Sequence, residues 1–347
     1  MEKIVITGGA GFIGCNAADF FAKKCGKVVV LDDFSRRGSA QNAEWLKKRH
    51  KNIEVVKADI VKDNAVLAKA VKGSDAVYHF AAQVAVTTSV ENPRRDFEIN
   101  ALGTFNVLEA ARKNADGAAF FTASTNKVYG GMEGIKIVER NNRYEYADCP
   151  KGISEEMQLD FHSPYGCSKG CADQYTRDYA RIYGMNTVVF RQSCIYGQRQ
   201  FGIEDQGWVA WFAIASALGK KLTIYGDGKQ VRDVLYVGDL ITAYDMANEK
   251  ISGIRGQVFN IGGGPKNTMS LLELLAYLEE FYGKKIDARY GKWRPGDQQV
   301  FVSDISKAKT AFGWEPKTSA KQGVRLLYKW VIENREMFED LQARDWG

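Results

Sequence analysis

Apolar residues in the first half of the chain follow two alternating rhythms. KIVIT (3–7), KVVVLDD (27–33), IEVVKADI (53–60), DAVYHFAA (75–82), AAFFTAS (118–124) and NTVVFRQS (186–193) carry theirs in unbroken runs. Between these runs the apolar positions recur every three to four residues. GAGFIGCNAADFFAKKC ends at Gly26, FEINALGTFNVLEAARKN spans 97–114, and YGCSKGCADQYTRDYARIYG ends at Gly184. Unbroken runs predict parallel strands buried on both faces, and the intervening period predicts helices. Their alternation predicts a doubly wound parallel α/β sheet.

A polar stretch over roughly 131–160 interrupts the rhythm and reads as a loop over a site, because the pattern resumes after it. Beyond Gly197 the segments shorten, Gly, Trp and Arg mark the turns, and SLLELLAYLEEFYG (270–283) is an amphipathic helix. The expected organisation is therefore a nucleotide-binding unit over 1–197, with 230–262 returning to it. A smaller mixed α/β lobe for substrate occupies most of 198–347.

The 347 residues are 45% hydrophobic and 26% charged, an ordinary globular balance with a net charge of +6. The basic runs are short and interleaved with acids, so nucleic-acid binding is not expected. Three histidines without a clustered carboxylate motif argue against a metal site. Six scattered cysteines without C-x-x-C predict free thiols in a reducing compartment. No apolar run is long enough to span a membrane and no targeting segment is apparent, so a cytoplasmic protein is expected.

TGGAGFIG (7–14) lies between a predicted strand and a predicted helix. Its Gly8, Gly11 and Gly14 let backbone N–H groups approach a pyrophosphate at the helix start, beside Phe12 and Ile13. Asp32 ends the next strand, at the spacing of the acid that holds an adenosine ribose in Rossmann-type domains. A carboxylate there repels a 2′-phosphate, so NAD is expected over NADP, although Arg36 and Arg37 stand close enough to hold such a phosphate. Asp59 and Ile60, after the third strand, are expected beside the adenine.

Tyr165 and Lys169 form Y-x-x-x-K and share a helix face. An ammonium and a positive nicotinamide ring nearby would favour the phenolate, which can remove a hydroxyl proton while hydride leaves the same carbon.

With HFAA (79–82), NALGTFNVLEAA (100–111), STNKVYG (124–130), SPYGCSKGCAD (163–173), QVRDVLYVGDL (230–240) and RPGD (294–297), the chain resembles the extended short-chain dehydrogenase/reductase superfamily, in its nucleotide-sugar epimerase and dehydratase branch. The resemblance covers nearly the whole chain. It implies a tightly bound NAD regenerated in each turnover, with Tyr165 as base, Lys169 as its partner and ribose ligand, and Thr125 holding the reacting oxygen. It places Ser35, Arg36, Phe80, Ala81, Ala82, Asn100, Gln192 and Ser193 at the cofactor. Gln83, Ser124, Asn126, Cys194, Gln206, Trp208, Arg232, Arg294 and Asp297 are placed at the substrate, with Arg232 and Arg294 gripping a diphosphate. Many relatives carry Asn where Cys194 stands.

Dehydratases of the branch place Asp-Glu directly after the Ser/Thr, where this chain has Asn126-Lys127. An amide and a cation cannot manage loss of water, so epimerisation by oxidation and re-reduction is expected. LDDFSRRGSAQNAEWL (31–46) and FRQSCIYGQRQFGIEDQGWVAWF (190–212) resemble the branch members that invert C2 of a CDP-sugar. A UDP-hexose 4-epimerase and a C2 epimerase of another sugar remain alternatives. The resemblance also implies a homodimer or homotetramer, with the helix around 100–112 and the one after Tyr165 forming a four-helix contact between copies. Tyr129 and Gly130 are expected to serve the turn, and His79 to be structural.

Overall fold

A computed structural model describes residues 1–293 and 298–342. Seven parallel strands form the central sheet, in the order Gln257–Ile261, Asn186–Gln192, Ala119–Thr125, Ala76–His79, Lys3–Thr7, Lys27–Asp32, Ile53–Lys57. The chain enters at Lys3–Thr7 and winds out to Ile53–Lys57. It then crosses back to Ala76–His79 and winds the other way. The direction reverses between Lys3–Thr7 and Ala76–His79, which opens a crevice at their C-terminal ends.

Period-two alternation explains why both faces are dry. Ile4, Ile6, Val28 and Val30 point toward the helices Phe12–Phe21, Ser39–Arg49 and Val237–Glu249. Val5, Val29 and Leu31 point the other way, onto Asn64–Val71 and Gly103–Asn114. The sheet is the Rossmann-type doubly wound sheet expected from the apolar runs.

One expected helix is broken. The 97–114 stretch becomes the end of a short helix, Pro93–Phe97, then a π-helical turn, Glu98–Leu102, then Gly103–Asn114. Such turns gather at functional sites. This one carries Asn100, whose side chain reaches inward (below).

A smaller lobe packs Trp208–Ala217, Leu271–Tyr282 and Ala320–Glu333 around Leu222, Ile224 and Val234. Its strand Val231–Tyr236 pairs with Thr268–Ser270, with Val300–Phe301, and with Cys194–Tyr196, which begins two residues after a central strand ends. Helix Val237–Glu249 and strand Gln257–Ile261 then return to the central unit. The polar 131–160 stretch contains a hairpin, Ile137–Arg140 with Arg143–Tyr146. Asn141 and Asn142 close it, both at positive φ. Arg143 donates to Glu273 and Tyr144 to Asp227, so this stretch is fastened to the small lobe.

Candidate active site

The glycine loop sits in the crevice. Gly8 has φ +64°, and a Cβ there would lie 2.6 Å from the Ala81 nitrogen. Gly14 passes so close under the loop that a Cβ would meet the Gly8 carbonyl oxygen at 2.2 Å. Gly11 is different: a Cβ there would touch only the Gly8 oxygen, at 3.1 Å, and otherwise fill the cleft that Gly11 lines. The helix that follows has no side-chain cap, and Phe12 and Ile13 line the same cleft. Its N-terminal N–H groups thus suit an anion.

Asp32 is buried at the end of its strand, where its oxygens accept from the Ala10 and Phe34 amides at 3.0 and 2.9 Å. Burial raises its pKa against those two bonds. A carboxylate keeps acceptor capacity beyond two such bonds, so hydroxyl donors still fit it. Ser35, Arg36, Asp59, Ile60, Phe80, Ala81 and Ala82 line the cleft around it, as expected. A continuous groove runs from Asp32 past the glycine loop to Ser124, Tyr165, Lys169 and Gln192. Its length, its acidic end and its glycine cradle fit a dinucleotide.

Tyr165 and Lys169 lie on helix Ser163–Tyr183, which starts with Pro164 in its first turn and ends at Gly184 in the left-handed conformation. Both side chains are buried. Burial pushes the Tyr165 phenol up to about 12, the Thr125 hydroxyl hydrogen-bonded to it pulls the other way, and Asp96 adds to the rise. Lys169 donates to the Ala123 carbonyl at 2.5 Å, and burial holds its ammonium down at about 8. The sequence reading expected Lys169 to lower the phenol. In the structure the phenol stands above its ordinary value: burial outweighs the Thr125 hydroxyl, and the Lys169 ammonium is bonded to the Ala123 carbonyl.

Thr125 closes its strand and accepts from the Lys127 amide at 3.2 Å. Lys127 donates to Gln298 at 3.0 Å. Electrostatically Lys127 and Arg232 flank Cys194, and the Trp208 indole N–H bonds the Cys194 sulfur. Three expected substrate residues, Cys194, Trp208 and Arg232, therefore lie together near Lys127, and Asn126 accepts from the Thr125 hydroxyl at 3.3 Å. Burial raises the Cys194 thiol. All six cysteines are free. Arg294 and Asp297 lie outside the described residues.

Several expected contacts are placed elsewhere. Gln206 is not on the sugar side: it accepts from the Arg36 guanidinium and lines the cofactor groove beside Phe201. The reason is tertiary, since the 198–202 loop is held over the glycine loop by Asn16 and Asn42. Ser193 bonds the buried Asp233 rather than facing the groove. Ser124 lines the groove, but its hydroxyl donates to Asp173 at 2.9 Å. Gln83 and Asn100 are buried, with their amides tied to each other's segments and to Asp96.

His79 is structural: its Nδ1 meets the Thr7 hydroxyl at 2.7 Å and its Nε2 the Thr104 hydroxyl at 2.9 Å. Tyr129 bonds Asn260 and Arg191 under the turn. Sequence reasoning missed Asn42, Arg199 and Asp96. No spacing distinguishes them. Arg199 is found only by its buried guanidinium, 4.1 Å from the Trp45 ring centroid, at the rim of the groove.

Among the described residues there is no cluster of potential metal ligands, and no helix is long and apolar enough to cross a membrane. Residues 5–327 match the family described as GDP-mannose 4,6 dehydratase. The chain is 49% identical to CDP-paratose 2-epimerase of Salmonella typhi over 337 residues, 95% of this chain and 99% of that one. The UDP-glucuronic acid 4-epimerase of Bacillus cereus, solved with UDP-glucuronic acid and NAD, superposes with a TM-score of 0.82 at 29% identity, covering 95% and 99% of the two chains. The dTDP-glucose 4,6-dehydratase of Bacillus anthracis, solved with NAD, superposes with a TM-score of 0.81 at 29% identity, covering 98% and 100%.

Proposed function

We propose, from the premise that the chain belongs to the GDP-mannose 4,6 dehydratase family of extended short-chain dehydrogenases/reductases, that it inverts C2 of CDP-paratose to give CDP-tyvelose. The observation that carries the reading is the pair after Thr125. Where the dehydratases of this branch resemble one another in Asp-Glu, this chain has an amide and an ammonium, and the ammonium is bonded to Gln298. Neither can take a proton from a sugar carbon and pass one to a leaving hydroxyl. The 49% identity to a C2 epimerase favours C2 over other positions.

NAD fits the groove: Asp32 would hold the adenosine ribose, the Phe12–Phe21 helix start the pyrophosphate, and Tyr165 and Lys169 the nicotinamide ribose. Once bound it supplies a hydride acceptor that becomes the hydride donor. The chain's own residues handle the proton and the geometry. Tyr165 takes the proton of the C2 hydroxyl as that carbon is oxidised, and Thr125 keeps the oxygen in place. The phenol starts high, near 12, so the positive charge brought by the oxidised cofactor is needed to make it a base. After the 2-keto sugar has turned its other face, Tyr165 returns the proton. Arg232 anchors the diphosphate while the sugar turns. No net oxidation occurs, so the cofactor is retained through the cycle.

The test is proton NMR of CDP-paratose with enzyme in D₂O, without added reductant. Inversion at C2 with no deuterium incorporated there supports direct hydride return. Inversion with deuterium at C2 replaces it with deprotonation of the carbon. No change, with C4 inversion of UDP-glucose in a parallel sample, moves the assignment to a UDP-hexose 4-epimerase.

A further inference from the structure

Lys169 is a buried cation whose hydrogen-bond acceptor is a neutral carbonyl. Among the described residues no carboxylate forms an ion pair with it. Two buried carboxylates act on it from a distance, Asp96 and Asp173. Asp173 is neutralised: Arg191 clasps it through two hydrogen bonds of 2.8 and 3.1 Å. His79, on the neighbouring strand, is uncharged near neutrality because burial holds its pKa at about 3. Thr125, which faces the phenol from the sheet, carries no charge.

Asp96 is the exception. It is 1% exposed, and its partners are all neutral: the Ser168 hydroxyl at 2.5 Å, the Asn100 amide at 3.1 Å and the Gln83 amide at 3.0 Å. Among the described residues no cation forms an ion pair with it. Burial raises its pKa, opposed by the Ser168 hydroxyl and by the charge of Lys169; the three neutral donors solvate the carboxylate without cancelling its field. Asp96 and Lys169 are thus two buried charges of opposite sign, each solvated by dipoles and each lacking another net counter-charge.

The same residues form a mechanical link. Ser168 sits between Tyr165 and Lys169 on one turn of the helix, contacts the Tyr165 carbonyl at 3.2 Å and accepts from Asn100 at 3.1 Å. Asn100 in turn accepts from the Gln83 backbone N–H at 2.9 Å. The π-helical turn is what swings Asn100 into this cluster.

We propose that Asp96 is a positioning residue for the reacting pair: through Ser168 it fixes the Tyr165–Lys169 turn, and its unneutralised charge keeps that turn protonated until substrate and cofactor are in place. This goes beyond the C2 assignment and rests on it only for the role of Tyr165 as base. A nearby anion favours the protonated form of both a phenol and an amine. Removing it must therefore lower the pH at which each loses its proton.

The experiment is a pH titration of the holoenzyme by the ultraviolet band of tyrosinate, with the trace of Tyr165→Phe subtracted to isolate Tyr165. It needs no sugar, so a wrong substrate assignment leaves it readable. Asp96→Asn is expected to move the Tyr165 midpoint to lower pH by about half a unit or more. The acidic limb of kcat/KM should move the same way. Ser168→Ala keeps the anion and cuts the link, so its midpoint should not fall while kcat does. Should Asp96→Asn not accumulate folded, Asp96→Ser removes the same charge, leaves room for water and is read identically. A midpoint that stays in place or rises in the charge-removal variants overturns the proposal. So does failure of both to fold, which makes Asp96 a purely structural residue.

Discussion

His79 sits one strand away from the chemistry, yet it controls how the site tolerates acid. Its ring is sealed between Thr7 and Thr104, and burial lowers its pKa from 6.5 to about 3. Since Thr104 also donates to the Asn100 carbonyl, the ring must donate from Nε2 and accept at Nδ1. Protonation would break the bond from Thr7 and bury a charge. The unfolded chain binds a proton at ordinary histidine pH and the folded chain does not. Stability from this residue is therefore full above about pH 6.5 and falls progressively as the pH drops toward about 3. Between about pH 7 and about pH 5 the loss is about 2 kcal/mol. His79→Gln, which cannot titrate, should be less stable near neutrality but lose less on acidification. Urea unfolding at the two pH values measures both slopes, and equal slopes would remove His79 from the account. At the same scale, Asp96 was invisible in the sequence. Among Arg94, Arg95 and Glu98 it reads as one more solvated charge on a helix. Only the fold puts it under Ser168.

At the scale of elements, the glycine loop makes two separable demands. Gly14 is required by packing of helix against loop, since its missing Cβ would strike backbone atoms that cannot move aside. Gly11 is extended, with φ −68°, a conformation any residue adopts, and its missing Cβ leaves room in the groove. Gly14→Ala should therefore destabilise the fold itself, by about 1–3 kcal/mol. Gly11→Ala should melt as wild type without cofactor and lose retained NAD. Thermal unfolding with and without added NAD, plus the NAD released on denaturing the purified protein, separates the two. Reversed behaviour would undo the assignment of roles. This half of the site was legible because strand, loop and helix are contiguous and the acid follows at a fixed spacing. Tyr165 and Lys169 were legible for the same reason, being one helical turn apart. Gln206 was misread because its place depends on how the 198–202 loop folds across another unit. The hairpin at 137–146 was missed because its strands are half-exposed and short. The break at Glu98–Leu102 was missed because a π-helical turn leaves the apolar period almost undisturbed.

The whole molecule presents one face that its own core does not explain. Phe97, Leu102 and Phe105 project from the 93–114 segment, and Tyr175, Ile182 and Tyr183 from Ser163–Tyr183, with Phe97, Ile182 and Tyr183 more than half exposed. Phe105 and Tyr175 meet edge to face with centroids 6.0 Å apart, so the two segments form one continuous apolar surface. An exposed surface of this kind marks an interaction site. The resemblance that named the superfamily implies that these two segments from each of two copies make a four-helix contact. A twofold contact of this sort is self-complementary. We expect sedimentation equilibrium to give at least twice the 38.7 kDa chain mass. The pair Phe105→Asp and Ile182→Asp should reduce it to that of one chain, since each copy then buries charge against charge. A wild type that sediments as a single chain would leave the face for another partner. The consequence for catalysis is specific. Tyr165 and Lys169 occupy the first turns of the helix whose last turns form this face. Asp96 and Asn100 stand on the segment that completes it. A dimer would therefore clamp both sides of the Asp96–Ser168 link from outside. The single-chain variant should retain NAD, because the helix that backs the glycine loop, Phe12–Phe21, packs on the opposite face of the sheet from Gly103–Asn114, while its kcat falls and KM changes little.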